Sequence, residues 1–144
     1  MWELSGGRQS HRPQYHLFGL PLGGLYKDPS DEEAGATVRR TLELGVNYFD
    51  TAPIYGFGKS EIRLGRELAK GNRDSFVVAT KVGYTLVPDE GERHPKVFHR
   101  FDNVPPLRPI FDYSYDGVLR TCEGSLQRLK LSRVDVLCLK YPRS

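Results

Sequence analysis

An Asp, a Tyr and a Lys fall at the ends of two expected strands. Asp50 and Tyr55 lie in Gly45-Val-Asn-Tyr-Phe-Asp50-Thr-Ala-Pro-Ile-Tyr55-Gly, and Lys81 closes Ala79-Thr-Lys81. A free phenol titrates near pH 10, too high for efficient acid catalysis at neutrality. A nearby ammonium favours the phenolate, and a carboxylate paired with that ammonium keeps it charged and in place. In this reading Tyr55 gives a proton to a carbonyl oxygen or takes one from an alcohol. Lys81 tunes Tyr55, and Asp50 anchors Lys81. None of the three can store a hydride, so the chemistry calls for a nicotinamide cofactor, NADP or NAD.

Each residue alone has a plainer reading. An Asp after a strand is often a turn former. A loop Tyr is usually a packing residue with a satisfied hydroxyl, and a Lys ending a strand is often a solvated charge. Their joint placement carries the weight. Gly19-Leu-Pro-Leu-Gly23-Gly24 fits neither nucleotide-binding glycine fingerprint and reads equally as a turn. His94 and His99 lack ligands at local metal-binding spacing, so a solvated basic loop is the expectation there, with no metal.

The elements that must position the trio follow from pattern. Residues 1–15 are polar, with neither helical nor strand period, and read as a disordered tail. His16-Leu-Phe-Gly-Leu20 is a short apolar run suited to a buried strand. Ser30-Asp-Glu-Glu33 is a capping box, opening a helix with Ala34, Val38 and Leu42 on one face and Gly45 as its C-cap. Tyr48-Phe-Asp50 follows as a short strand. Ser60 to Lys70 is a second amphipathic helix with apolar Ile62, Leu64 and Leu68, stopped by Gly71. Ser75 to Lys81 is β-branched and apolar, a buried strand. Residues 83–112 contain five prolines and no sustained period, so a long loop is expected, able to act as a lid. Ser114 caps a third helix with the stripe Leu119, Cys122, Leu126 and Leu129, and residues 134–139 form another buried strand. Strands alternating with helices imply parallel βα units, which place their chemistry at the carboxyl ends of the strands. Asp50, Lys81 and Lys140 occupy those ends.

Composition is consistent with one folded domain. The 144 residues carry 21 basic and 18 acidic side chains, and 38% are hydrophobic. A net charge of +3 implies no strong attraction to nucleic acid or membrane. No run of about 18 apolar residues exists to span a bilayer. The start lacks a secretory apolar stretch, and its two Arg and one Glu between Met1 and Tyr15 hint only faintly at a transit peptide. Cys122 and Cys138 read as buried reduced thiols of a cytoplasmic protein.

The stretch from Gly45 to Gly56, Ser60-Glu-xx-Leu-Gly65 and Ala79-Thr-Lys-Val-Gly83 resemble the N-terminal half of an aldo-keto reductase. The match runs from about Leu17 to Leu139. The family fold is a (β/α)8 TIM barrel that uses NAD(P)(H) without a Rossmann domain, so residues 16–144 would form about four of its βα units. The resemblance implies that Asp50, Tyr55 and Lys81 match three of four catalytic residues. It also implies that Gly23, Asp50 and Tyr55 line the cofactor. Phe111-Asp-Tyr-Ser-Tyr-Asp-Gly-Val-Leu-Arg120 and Ser125-Leu-Gln-Arg-Leu129 resemble the D-threo-aldose 1-dehydrogenase branch. Its members oxidise the anomeric hydroxyl of sugars to lactones and include pyridoxal dehydrogenases. The partner implied is a small sugar or aldehyde.

Two departures matter. The family's fourth catalytic residue is a His, where this chain has Lys140 after Val134-Asp-Val-Leu-Cys-Leu139. A (β/α)8 barrel typically needs about 250 residues, so a truncated, half-barrel enzyme is the first expectation, with self-association through its open edges. The alternatives are a non-catalytic half-barrel that acts through partner binding, and an incomplete gene product.

Overall fold

The structure is a computed structural model that describes residues 15–91 and 100–140. The expected tail, apart from Tyr15, lies outside the described residues, as do His94 and His99 of the expected loop. In chain order the elements are β1 (His16–Phe18), α1 (Asp31–Glu43), β2 (Tyr48–Asp50), α2 (Lys59–Leu68), β3 (Val77–Val82), β4 (Tyr84–Pro88), β5 (Leu107–Phe111), α3 (Tyr115–Leu129) and β6 (Val136–Leu139). Strands β1, β2, β3 and β6 pair in that order, all parallel. Short polar turns and the three helices carry the crossovers. This is the architecture of successive units of a (β/α)8 barrel, opened out at both edges.

Local chemistry sets the helix ends. The Ser30 hydroxyl accepts from the Glu33 amide at 3.2 Å, and the Glu33 carboxylate accepts from the Ser30 amide at 2.8 Å. This is the expected capping box. Leu44 caps α1, and Gly45 turns left-handed one residue further on, at φ +80°. Ser114 caps α3 by accepting from the Gly117 amide at 3.0 Å. Helix α2 starts at Lys59, one residue earlier than the pattern suggests, and stops at Leu68.

The main core lies between the sheet and the helices. Phe49, Val78, Leu64, Leu68, Val38 and Leu129 meet there, all sealed from solvent. Two helices present different faces from those their apolar pattern suggested. On α2 the residues turned inward are Ser60, Glu61, Leu64, Gly65 and Leu68, while Ile62 is 38% exposed. On α3 they are Gly117, Thr121, Ser125 and Leu129, at i, i+4 spacing, while Leu119 is 44% exposed and Cys122 and Leu126 are half-buried. The cause is close approach. A Cβ on Gly65 would run into the backbone of Leu129, so small and polar side chains occupy the contact and the apolar stripe turns to the flank.

The expected long loop also carries structure of its own. Strands β4 and β5 pair antiparallel from Tyr84 opposite Phe111 to Pro88 opposite Leu107. Its prolines masked a ribbon built from Tyr84-Thr-Leu-Val87, residues that suit a pleated surface. Pro109 is tolerated because both strands of an isolated pair are edges, where a missing N–H costs little. Ala52, Ile54 and Phe57 form a second core, with Tyr84, Leu86 and Leu107 of the ribbon packed on it. No described helix is long and apolar enough to cross a membrane.

Candidate active site

Strand alternation puts three charged side chains on one face of the sheet. Asp50 pairs with Ala79, and Lys81 lies two residues beyond Ala79. Lys81 pairs with Cys138, and Lys140 lies two residues beyond that. Residues two apart in a strand share a face, so Asp50, Lys81 and Lys140 all issue from the face opposite Phe49, Val78 and the helices.

The contacts follow that placement. The Lys81 ammonium donates to the Asp50 carboxylate and, at 3.0 Å, to the Thr51 carbonyl. It also stands 4.9 Å from the centre of the Tyr55 ring. Burial pushes the Lys81 pKa down, yet the hydrogen bond to Asp50, the Tyr55 phenol and the Asp50 charge outweigh it, and the net shift is upward. Lys81 is therefore a fixed cation at neutral pH. Its side chain and that of Asp50 are each 18% exposed, so bulk water screens the pair only in part.

Tyr55 is held by its loop. Its amide donates to the Ala52 carbonyl at 3.1 Å, and its carbonyl accepts from the Ser60 amide at 3.2 Å, tying it to the start of α2. Gly23 ends a 3-10 turn over Pro21–Gly23, and its backbone meets that of Gly56 so closely that a Cβ on either would clash. Gly56 is at φ +63°, which also favours glycine. The structure thus places Gly23 directly behind Tyr55. Lys140 closes the site on the far side: Lys81, Lys140, Ala52, Ile54 and Tyr84 line one small concavity. The Lys140 amide donates to the Val82 carbonyl at 3.1 Å, and its carbonyl accepts from the Tyr113 hydroxyl.

The sequence reading saw Ser60-Glu-xx-Leu-Gly65 only as a helix, and the supports of the site lie in it. The Ser60 hydroxyl donates to the Gly19 carbonyl at 2.7 Å and sits 2.9 Å from the Thr51 hydroxyl. Glu61 is wholly buried behind β3. It accepts from the Thr80 hydroxyl at 2.7 Å and from Arg128 of α3 at 2.6 Å. One carboxylate thereby joins the residue preceding Lys81 to two helices. A carboxylate on an otherwise core-facing helix surface was the available signal, since a buried acid needs a partner.

Similarity to known proteins agrees with this geometry. The sequence profile of the Aldo/keto reductase family matches residues 18–143. The chain belongs to the aldo/keto reductase family. It is 40% identical over 124 residues to D-threo-aldose 1-dehydrogenase from a Pseudomonas species, covering 84% of this chain and 37% of that protein. An aldo-keto reductase from Bacillus halodurans, solved in its holo form, superposes with a TM-score of 0.66 at 27% identity, over 88% of this chain and 35% of that one. A Klebsiella pneumoniae aldo-keto reductase in complex with NADPH shares the fold, with a TM-score of 0.61 at 22% identity over 90% of this chain and 35% of that one. The chain thus spans little more than a third of these family members.

Cys122 and Cys138 carry free thiols and are half-buried rather than sealed. Burial, and then the charge of Glu123, hold the Cys122 pKa above its ordinary value.

Proposed function

We propose that this chain supplies the proton-transfer group of an NADP- or NAD-dependent oxidoreductase that interconverts an aldose or aldehyde with its oxidised or reduced partner. The observation that carries the reading is the contact set of Lys81, with Asp50 on one side and the Tyr55 ring on the other. In the reducing direction the Tyr55 hydroxyl proton passes to the carbonyl oxygen of the substrate. In the oxidising direction Tyr55 receives the proton of the alcohol. Lys81 stays charged throughout, so the phenolate formed on proton loss meets a fixed cation. Asp50 and the Thr51 carbonyl prevent Lys81 from swinging away. Lys140, with three N–H donors and no acceptor, faces the substrate oxygen from the next strand.

The donor set suits a nicotinamide. It offers a proton source and a fixed cation, with no group among the three able to carry electrons. Gly23, Asp50 and Tyr55 are the residues proposed to lie against that ring, which when bound would supply the hydride equivalent. The test is cofactor-dependent turnover of aldoses and aldehydes, followed at the absorbance of the reduced nicotinamide.

A second reading rests on the exposed apolar side chains of β6. Leu137 and Leu139 lie on the helix-facing side of the sheet and are 45% and 62% exposed. Such a surface suits a protein partner. Mass in solution, measured with apolar dye binding, separates the two readings: a stable monomer that binds no dye argues against a partner surface.

A further inference from the structure

The site carries one more positive charge than proton transfer needs. Lys81 and Lys140 issue from adjacent strands, on one face, and line one concavity with Ala52, Ile54 and Tyr84. The carboxylate of Asp50 is bonded to Lys81, so the charge of Lys81 is balanced locally. Lys140 adds a second ammonium at the same mouth. Its backbone is fixed on both sides, through its amide to Val82 and its carbonyl to Tyr113. The start of its side chain is therefore placed by β6 rather than by a mobile loop. Ala52, Ile54 and the Tyr84 ring offer little to hydrogen-bond with, so a substrate group entering here meets apolar walls and two cations. Partly desolvated cations attract a carboxylate far more strongly than a neutral group of similar size.

We infer that Lys140 makes the site selective for carbonyl substrates that carry a carboxylate within a few bonds of the reacting carbon. This rests on the proton-transfer reading above and adds the substrate class to it. The carboxylate binds across the Lys140 end of the concavity while the carbonyl oxygen faces Tyr55. No covalent step is added.

The test uses 4-oxobutanoate and butanal, which match in length and differ in the carboxylate, each reduced with NADPH or NADH by the wild-type protein, Lys140→Met and Lys140→Arg. A charge-assisted hydrogen bond at this half-exposed position predicts about a tenfold preference of the wild type for 4-oxobutanoate in kcat/KM, expressed mainly in KM. Lys140→Met should lose that preference, with 4-oxobutanoate suffering about tenfold more than butanal. Lys140→Arg should keep most of it, and raised ionic strength should erode it in the wild type. Equal kcat/KM for the two aldehydes, or a preference that survives in Lys140→Met, overturns the inference and leaves proton transfer by Tyr55 standing. Turnover of neither aldehyde, nor of any aldose, overturns both.

Discussion

Lys81 and Asp50 meet across the β2–β3 pairing because Asp50 lies opposite Ala79, two residues before Lys81 on the same face of the sheet. A shift of one residue in that register would turn Lys81 into the helix layer, where Val78 and Thr80 now lie. The register is held by the core side chains Phe49 and Val78 on the other face. Packing on one side of the sheet thus sets the chemistry on the other.

Removing either partner should damage both activity and stability. Asp50→Asn leaves the Lys81 ammonium without its countercharge, and Lys81→Met leaves Asp50 without its own. Each is expected to cost about 1–3 kcal/mol of unfolding free energy and to lower turnover. Urea titrations and steady-state kinetics check this. Unchanged values for both variants would show the pair to be incidental.

Glu61→Gln should destabilise the protein by about 3 kcal/mol, the low end of the cost of stripping one partner from a buried ion pair. Glu61 is fully buried and bonded to Thr80 and Arg128. A loss below about 1 kcal/mol in the urea midpoint analysis would mean that the three elements do not depend on this carboxylate.

Gly65→Ala tests the close approach of α2 and α3. A Cβ there meets the Leu129 backbone, which is sealed in the core and has no flexible end to yield. Overpacking of this kind costs about 1–3 kcal/mol. Thermal melts of the variant should show a lowered midpoint. An unchanged or raised midpoint would refute the tight contact.

Acid should weaken the fold through Asp28. Burial alone would raise its pKa, but hydrogen bonds from Lys59, Arg63 and Asn103 outweigh it and bring the value below 3.8. A carboxyl with a depressed folded-state pKa adds stability that is full above its unfolded value and disappears as pH falls through the folded one. Denaturant midpoints should therefore drop below about pH 3.8, and Asp28→Asn should flatten that part of the profile. An identical slope in the variant would contradict the assignment.

What the sequence makes legible is what local chemistry decides. Ser30 and Ser114 announce helix starts through their own hydrogen bonds, and the strand ends announce Asp50 and Lys81. The buried faces of α2 and α3 were not legible. Glu61 is tolerated inside only because Arg128, 67 residues away, comes to meet it. Leu119 and Ile62 look like core by type, yet Gly65 and Gly117 let the helices approach on another face. The β4–β5 ribbon escaped notice because its prolines read as breaks, and a paired edge can hold them. Lys140 was placed at the site from chain order, and its sharing of a concavity with Lys81 needed the register of β6.

The most direct measurement is nicotinamide-dependent turnover of an aldose and aldehyde panel by the wild type and Tyr55→Phe, with NADP and NAD binding to both measured by calorimetry. Phenylalanine keeps the ring against Lys81 and deletes only the proton. The account predicts a fall in kcat of about 10²–10⁴-fold, with cofactor binding little changed. Equal turnover by the two proteins, or a wild type that binds neither cofactor and turns over no member of the panel, would contradict it.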